Sequence, residues 1–167
     1  MRIKKVTYKN EKVSIRFEKA NSDSKLDEFS IVSHDKPVGP FIDALQALLP
    51  FVLKMVELPT SYKENMEVIG VAFTYAGELD VMGASILASK ELEDSDSPFS
   101  IVTPHKPSKV DKANAKGEHQ PVLTKACVNA LMEVQHQAEQ FISGQRLQLT
   151  LGLKEAREDN EPEEAIG

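Results

Sequence analysis

One short phrase occurs twice in this chain, and it constrains the fold more than any other feature. Phe29-Ser30-Ile31-Val32-Ser33 runs into His34-Asp35-Lys36-Pro37, and Phe99-Ser100-Ile101-Val102-Thr103 runs into Pro104-His105-Lys106-Pro107. Each copy is followed by a long segment whose apolar residues recur with helical spacing. Self-similarity at a fixed period is the mark of a repeated supersecondary unit. The phrase therefore predicts two halves of one duplicated domain.

The order of elements around each copy supports this. Ile3 to Lys9 reads as a strand with Val6 and Tyr8 on one face, and Asn10-Glu11 as a tight turn. Val13, Ile15 and Phe17 then alternate with Ser14, Arg16 and Glu18, the pattern of a half-buried antiparallel strand. Phe29 to Val32 makes a third strand. Pro40 suits the first turn of a helix, where its missing N–H costs nothing. Ile42, Leu45, Leu48, Leu49, Val52, Leu53 and Val56 form its apolar stripe, and Pro50 predicts a kink or two consecutive pieces.

The second half repeats the order. Ile69, Val71, Phe73 and Tyr75 share one face of a strand, Ala76-Gly77-Glu78 turns the chain, and Leu79 and Val81 begin the next strand. Its apolar parity then passes to Met82, Ala84, Ile86 and Ala88, so a β-bulge is expected at Gly83. An acidic loop, 91–96, precedes the second phrase. The polar stretch 104–120 reads as a long loop, and Val122 to Ser143 as a helix with Gly144 at its C′ position. The expected fold is α+β: duplicated β-β-β-α units forming one antiparallel sheet of about six strands, with two helices on one face. The domain spans 1–144, with pseudo-repeats of about 1–59 and 64–144. Residues 145–167 form a C-terminal tail, expected to be acidic and disordered after 153.

Composition narrows the functional classes. With 41% hydrophobic and 28% charged residues, the 167-residue chain suits a soluble globular protein. The basic start Met1-Arg2-Ile3-Lys4-Lys5 lacks the apolar run of a signal peptide, and 41–58, the richest apolar stretch, is interrupted by Asp43, Gln46, Pro50 and Lys54. The single Cys127 excludes an internal disulfide framework. These observations predict a cytoplasmic protein with no membrane partner.

The net charge of −6 is uneven. Residues 154–167 hold two basic and six acidic side chains, whereas 1–19 hold seven basic and two acidic. The basic end offers a weak nucleic-acid surface: Lys4, Lys5, Lys12 and Arg16, with Tyr8 as a stacking platform. Lys36 and Lys106, in the repeated turns, add two basic corners. A charged hairpin is equally the solvated face of an edge pair, and Lys-Pro a simple way to leave a sheet.

No catalytic constellation appears. His34, His105, His119 and His136 form no H-x-x-x-H or C-x-x-C pair, so neither metal nor cofactor is expected. Cys127 falls on the apolar face of the second helix, where a nucleophile is not activated. Glycine-rich phosphate loops and nucleophile-elbow motifs are missing. The chain reads as a non-enzyme.

The tail carries the functional lead. Gln148-Leu149-Thr150-Leu151-Gly152-Leu153 resembles the hexapeptide, Gln-Leu-x-Leu-x-Leu, by which bacterial polymerases and repair proteins dock on the DNA sliding clamp. The resemblance covers six residues and implies that Gln148 anchors by its amide while Leu149, Leu151 and Leu153 fill an apolar pocket. Strict alternation of Leu147, Leu149, Leu151 and Leu153 also fits an added edge strand. Across most of the domain, 43–48, 71–75 and 99–107 resemble small bacteriophage and prophage proteins that bring no assigned activity.

Together these features predict an accessory protein of phage DNA replication or recombination, bound to a protein partner such as the host clamp. The alternatives are an inhibitor of a host enzyme or defence nuclease, and a single-strand nucleic-acid binder.

Overall fold

The computed structural model describes residues 1–110 and 120–147. Strands β1 (Arg2–Lys9) and β2 (Lys12–Ala20) are joined at Asn10 and Glu11, both at positive φ, the turn geometry that matches the twist of paired strands. Strand β3 (Leu26–Ser33) completes the first half. Helices α1 (Gly39–Gln46) and α2 (Leu49–Met55) follow as two consecutive pieces, parted just before Pro50 as the missing N–H dictates. A short 3-10 turn at Thr60–Lys63 leads to β4 (Met66–Ala76), β5 (Val81–Leu92), β6 (Ser95–Val102), the two-residue β7 (Lys106–Pro107) and α3 (Lys125–Ile142).

All strands pair antiparallel in one sheet of order β3-β2-β1-β4-β5-β6, with β7 also on β5. The order reads outward in the same way on either side of the β1–β4 pair. The helices close one face over a single core, in which Phe41, Leu45, Leu48 and Val52 meet Cys127, Leu131, Val134 and Phe141 above Val6, Ile15, Val71 and Ile86. The rings of Phe41 and Phe141 lie 5.7 Å apart. Among the described residues no helix is long and apolar enough to cross a membrane.

Both inner strands carry a bulge that period-two counting does not anticipate. Ile3 faces Phe17 and Lys5 faces Arg16, so Lys4 is an extra residue in β1. Likewise Val68 faces Ala88 and Gly70 faces Leu87, so Ile69 is the extra residue in β4. Each bulge puts two residues three apart, Ile3 with Val6 and Val68 with Val71, onto the core face. Ile69 therefore leaves the face it was expected to share with Val71, and the bulge lies there rather than at Gly83, where pairing with Thr74 is regular.

Counted from these bulges, the second phrase is displaced by two residues. Ile31 faces Ile15, but Thr103 occupies the matching place beside Ile86, donating its N–H to the Ile86 carbonyl at 2.9 Å and accepting the Ile86 N–H on Oγ1 at 2.9 Å. Thr103 is buried because both its polar groups are satisfied there.

Three further expectations are corrected. Leu79 stands in the turn between β4 and β5 at 86% exposure, not in a strand. The acidic stretch 91–96 is a hairpin, with β5 running to Leu92 and β6 starting at Ser95. Within the long loop, Lys106-Pro107 pairs with Ala84 and Gly83; positions 111–119, including His119, lie outside the described residues.

One side chain completes the sheet where the pairing of β1 with β4 stops. Val68 has no partner on β1, whose pairing with β4 covers Lys5 to Thr7 against Ala72 to Gly70. The Gln46 amide takes the strand's place: Nε2 donates to the Val68 carbonyl at 2.9 Å, and Oε1 accepts the Val68 N–H at 3.0 Å. Replacing Gln46 by Ala leaves both backbone groups without these bonds and is expected to cost about 1–3 kcal/mol. Urea unfolding should show this as a lower midpoint with an unchanged slope.

Candidate functional site

The two Lys-Pro corners and the start of the tail form the candidate site. At the second corner the chain stays on the sheet. Lys106 and Pro107 lie along β5, the Ser108 N–H donates to the Met82 carbonyl at 2.7 Å, and the Pro107 carbonyl accepts the Leu123 N–H at 2.9 Å. Thr124 then caps α3, its Oγ1 accepting the Cys127 N–H at 3.2 Å. His105 Nε2 is 2.7 Å from Thr74 Oγ1. Its ring fills the space over Gly83, where a Cβ would lie 2.4 Å from Nε2. That contact, not a bulge, accounts for the glycine.

The first corner is built differently, because β2 ends too soon to receive it. Val13 already faces Ser33, and the hairpin turn follows. The Ser33 hydroxyl accepts the Asp35 N–H at 3.1 Å, and the chain turns to Lys36 and the buried Pro37. Their strand partner is the segment after α3: Pro37 bridges Arg146 antiparallel, and the Leu147 N–H donates to the Lys36 carbonyl at 2.9 Å. Helix α3 reaches this point through a full Schellman ending. Gly144, at φ 104°, donates to the Phe141 carbonyl and Gln145 to that of Gln140. The Arg146 guanidinium lies 4.5 Å from the centre of the Phe141 ring and forms an ion pair with Asp35, contacts worth about 1 kcal/mol each at such half-exposed positions.

The seven residues suggested for nucleic acid do not form one surface. Lys4 pairs with Glu18 at 3.3 Å and Arg16 with Glu28 at 3.4 Å, so two of the cations already have counter-charges. Lys5 faces Arg16 across the strand pair, and Lys12 is exposed at the hairpin end. Tyr8 is half-buried, edge-on to Phe41 at 6.4 Å, rather than free as a stacking platform. Lys36 is exposed at the first corner, whereas Lys106 is half-buried near Cys127. Gln148, Leu149, Leu151 and Leu153 lie outside the described residues.

Two grooves escaped sequence reasoning, since each combines residues from segments far apart or from a helix break. One, of about 510 Å³, is lined by Asn10, Asn65, Glu67, Ser89, Glu91 and Asp96. The other, of about 670 Å³, runs along α2, with Leu49, Leu53 and Leu58 beside Lys54 and Lys63. Among the described residues no three His, Cys, Asp or Glu side chains are placed to hold a metal ion.

The fold and site define a sheet protein of paired three-stranded halves, with a C-terminal segment fastened at one corner. No family model matches the chain, and no curated protein or solved structure matches it either.

Cys127 is 1% exposed, and burial pushes its thiol from the ordinary 9.0 up to about 11, with the Lys106 ammonium pulling weakly the other way. A raised thiol pKa leaves stability intact below pH 9 and removes it as the pH climbs towards 11, because the unfolded chain ionises first. The loss approaches about 2–3 kcal/mol. Cys127→Ala should flatten this fall in denaturant titrations between pH 9 and 11. The part that remains above pH 10 is expected from Tyr75, which burial also raises.

Proposed function

We propose that this chain is a non-enzymatic accessory protein of phage DNA replication or recombination, tethered to the bacterial sliding clamp by Gln148, Leu149, Leu151 and Leu153. The observation that carries this reading is the match of all four defining positions of the clamp-docking hexapeptide in residues 148–153. Its placement supports it. The described chain ends one residue earlier at a fixed corner, where Arg146 and Leu147 are held by Asp35 and Lys36. A short peptide beginning at a fixed point loses less freedom on docking than one at the end of a long linker. The folded domain would then be carried to the clamp as a unit, with its own surfaces left for a second partner.

A second reading, an inhibitor of a host enzyme or defence nuclease, draws on the groove lined by Glu67, Glu91 and Asp96. Those carboxylates would complement a basic surface that ordinarily receives nucleic acid.

The purified protein should bind a bacterial sliding clamp, and Leu151→Ala combined with Leu153→Ala should weaken binding at least about thirtyfold, as loss of two pocket-filling anchors implies. Absence of binding by the unaltered protein would sink the clamp reading.

A further inference from the structure

We propose that two copies of this chain associate through β3, the two strands pairing antiparallel about a two-fold axis at Phe29. β3 is a terminal strand of the sheet, and among the described residues no strand pairs its outer edge. It pairs with β2 without a break from Leu26 to Ser33 and contains neither Pro nor Lys, the residues that commonly block such an edge. The other terminal strand is guarded: Pro98 lies within β6, and its register with β5 shifts between Lys90 and Leu92.

The backbone of β3 is presented for pairing. The two-residue turn at Asn10 and Glu11 makes Lys9 and Lys12 a hydrogen-bonded pair. Alternation from there directs the backbone groups of Val13, Ile15 and Phe17 at β3, where they meet Ser33, Ile31 and Phe29. The N–H and C=O groups of Leu26, Glu28, Ser30 and Val32 therefore point at the outer edge.

The side chains identify the occupant. The large apolar residues that β3 exposes are Leu26 at 48%, Phe29 at 44% and Val32 at 60%. Leu26 and Val32 stand equally far on either side of Phe29, so a second copy centred there sets Phe29 against Phe29 and each Leu26 against a Val32. One register covers all three. Phe29 already stacks on Phe17 with ring centres 5.4 Å apart, and the pairing continues that stack into the second copy. The two Phe29 residues form a non-hydrogen-bonded pair, the closer kind, which suits ring contact.

The charges favour the same register. Asp27 falls opposite Ile31 and Glu28 opposite Ser30, and Glu28 keeps its ion pair with Arg16 at 3.4 Å. A centre at Glu28 would oppose two carboxylates. A centre at Ser30 sets Val32 against Glu28, and one at Ile31 leaves Phe29 against Ser33. Self-matching of this kind is what a closed, two-fold interface requires, and a strand of unrelated sequence does not supply it. Nothing in this association depends on clamp docking.

The test uses the full chain with the buried Cys127 left in place. Sedimentation equilibrium should show monomer and dimer exchanging with a Kd of about 1–100 μM, as an interface at the small end of the range implies. Val32→Lys, at an exposed position, should leave the urea midpoint of dilute protein unchanged and weaken the dimer at least about tenfold. On mild oxidation Phe29→Cys should form an intermolecular disulfide at least about tenfold faster than Val32→Cys, whose two copies this register holds about 20 Å apart. A chain that stays monomeric at about 1 mM overturns the proposal and leaves the edge to another occupant. A dimer that Val32→Lys does not weaken, or equal rates of oxidation, overturns it as well.

Discussion

The whole fold depends on a narrow junction between β1 and β4. Three residue pairs join the halves there: Lys5 with Ala72, Val6 with Val71, and Thr7 with Gly70. Val6 and Val71 are both fully buried, so the junction is apolar on the helix side. On the other side it works by closeness. A Cβ on Gly70 would lie 2.5 Å from the Val6 carbonyl oxygen, a backbone atom with little room to yield. The Tyr75 hydroxyl spans the same seam, donating to the Ile3 carbonyl at 2.8 Å while accepting from Gln135 Nε2 at 2.8 Å. Helices α1 and α3 lie across it through Phe41 and Phe141. Each half alone is a three-stranded sheet with one helical segment, too little to bury its apolar face. The junction makes them one core.

Much of this was legible in the sequence where local chemistry and burial agree. The strict alternation of Val13, Ile15 and Phe17 matches the buried face of β2, and Pro50 parts the first helix as its geometry requires. Misreadings arose where one extra residue changes the parity of a strand. The Lys4 and Ile69 bulges leave no compositional mark, because Lys and Ile are ordinary strand residues, whereas Gly83 looks like a bulge and is a seat for His105. Alternation tells which residues share a face only while pairing stays regular. The acidic hairpin was misread for a related reason: Glu93 and Asp94 form its turn, while Glu91 and Asp96 sit on exposed strand positions, where polarity does not oppose β structure.

The candidate site was legible in outline only. Lys36 and Lys106 occupy equivalent places in the sequence phrase, yet one is exposed beside the tail and the other half-buried near α3. The difference comes from the displacement of the second phrase: Lys106 and Pro107 lie on Ala84 and Gly83, whereas the matching Val13 of β2 is already taken by Ser33 when the first phrase reaches it. That is a property of pairing between distant segments, invisible in either copy alone. Arg146 was missed for the same reason, since its ion-pair partner Asp35 lies far away in the sequence.

The unequal margins of the sheet also bear on how this protein behaves when crowded. A sheet with two receptive edges can grow from both, and copies then join head to tail into open fibres. Here Pro98 and the break in β6 pairing leave that margin unreceptive, so among the described residues β3 is the margin suited to strand pairing. Two copies meeting through β3 would use up the receptive edge of each and close. The proline in β6 thus removes a backbone donor from one margin of the described sheet and makes that margin a poor template for a neighbouring strand.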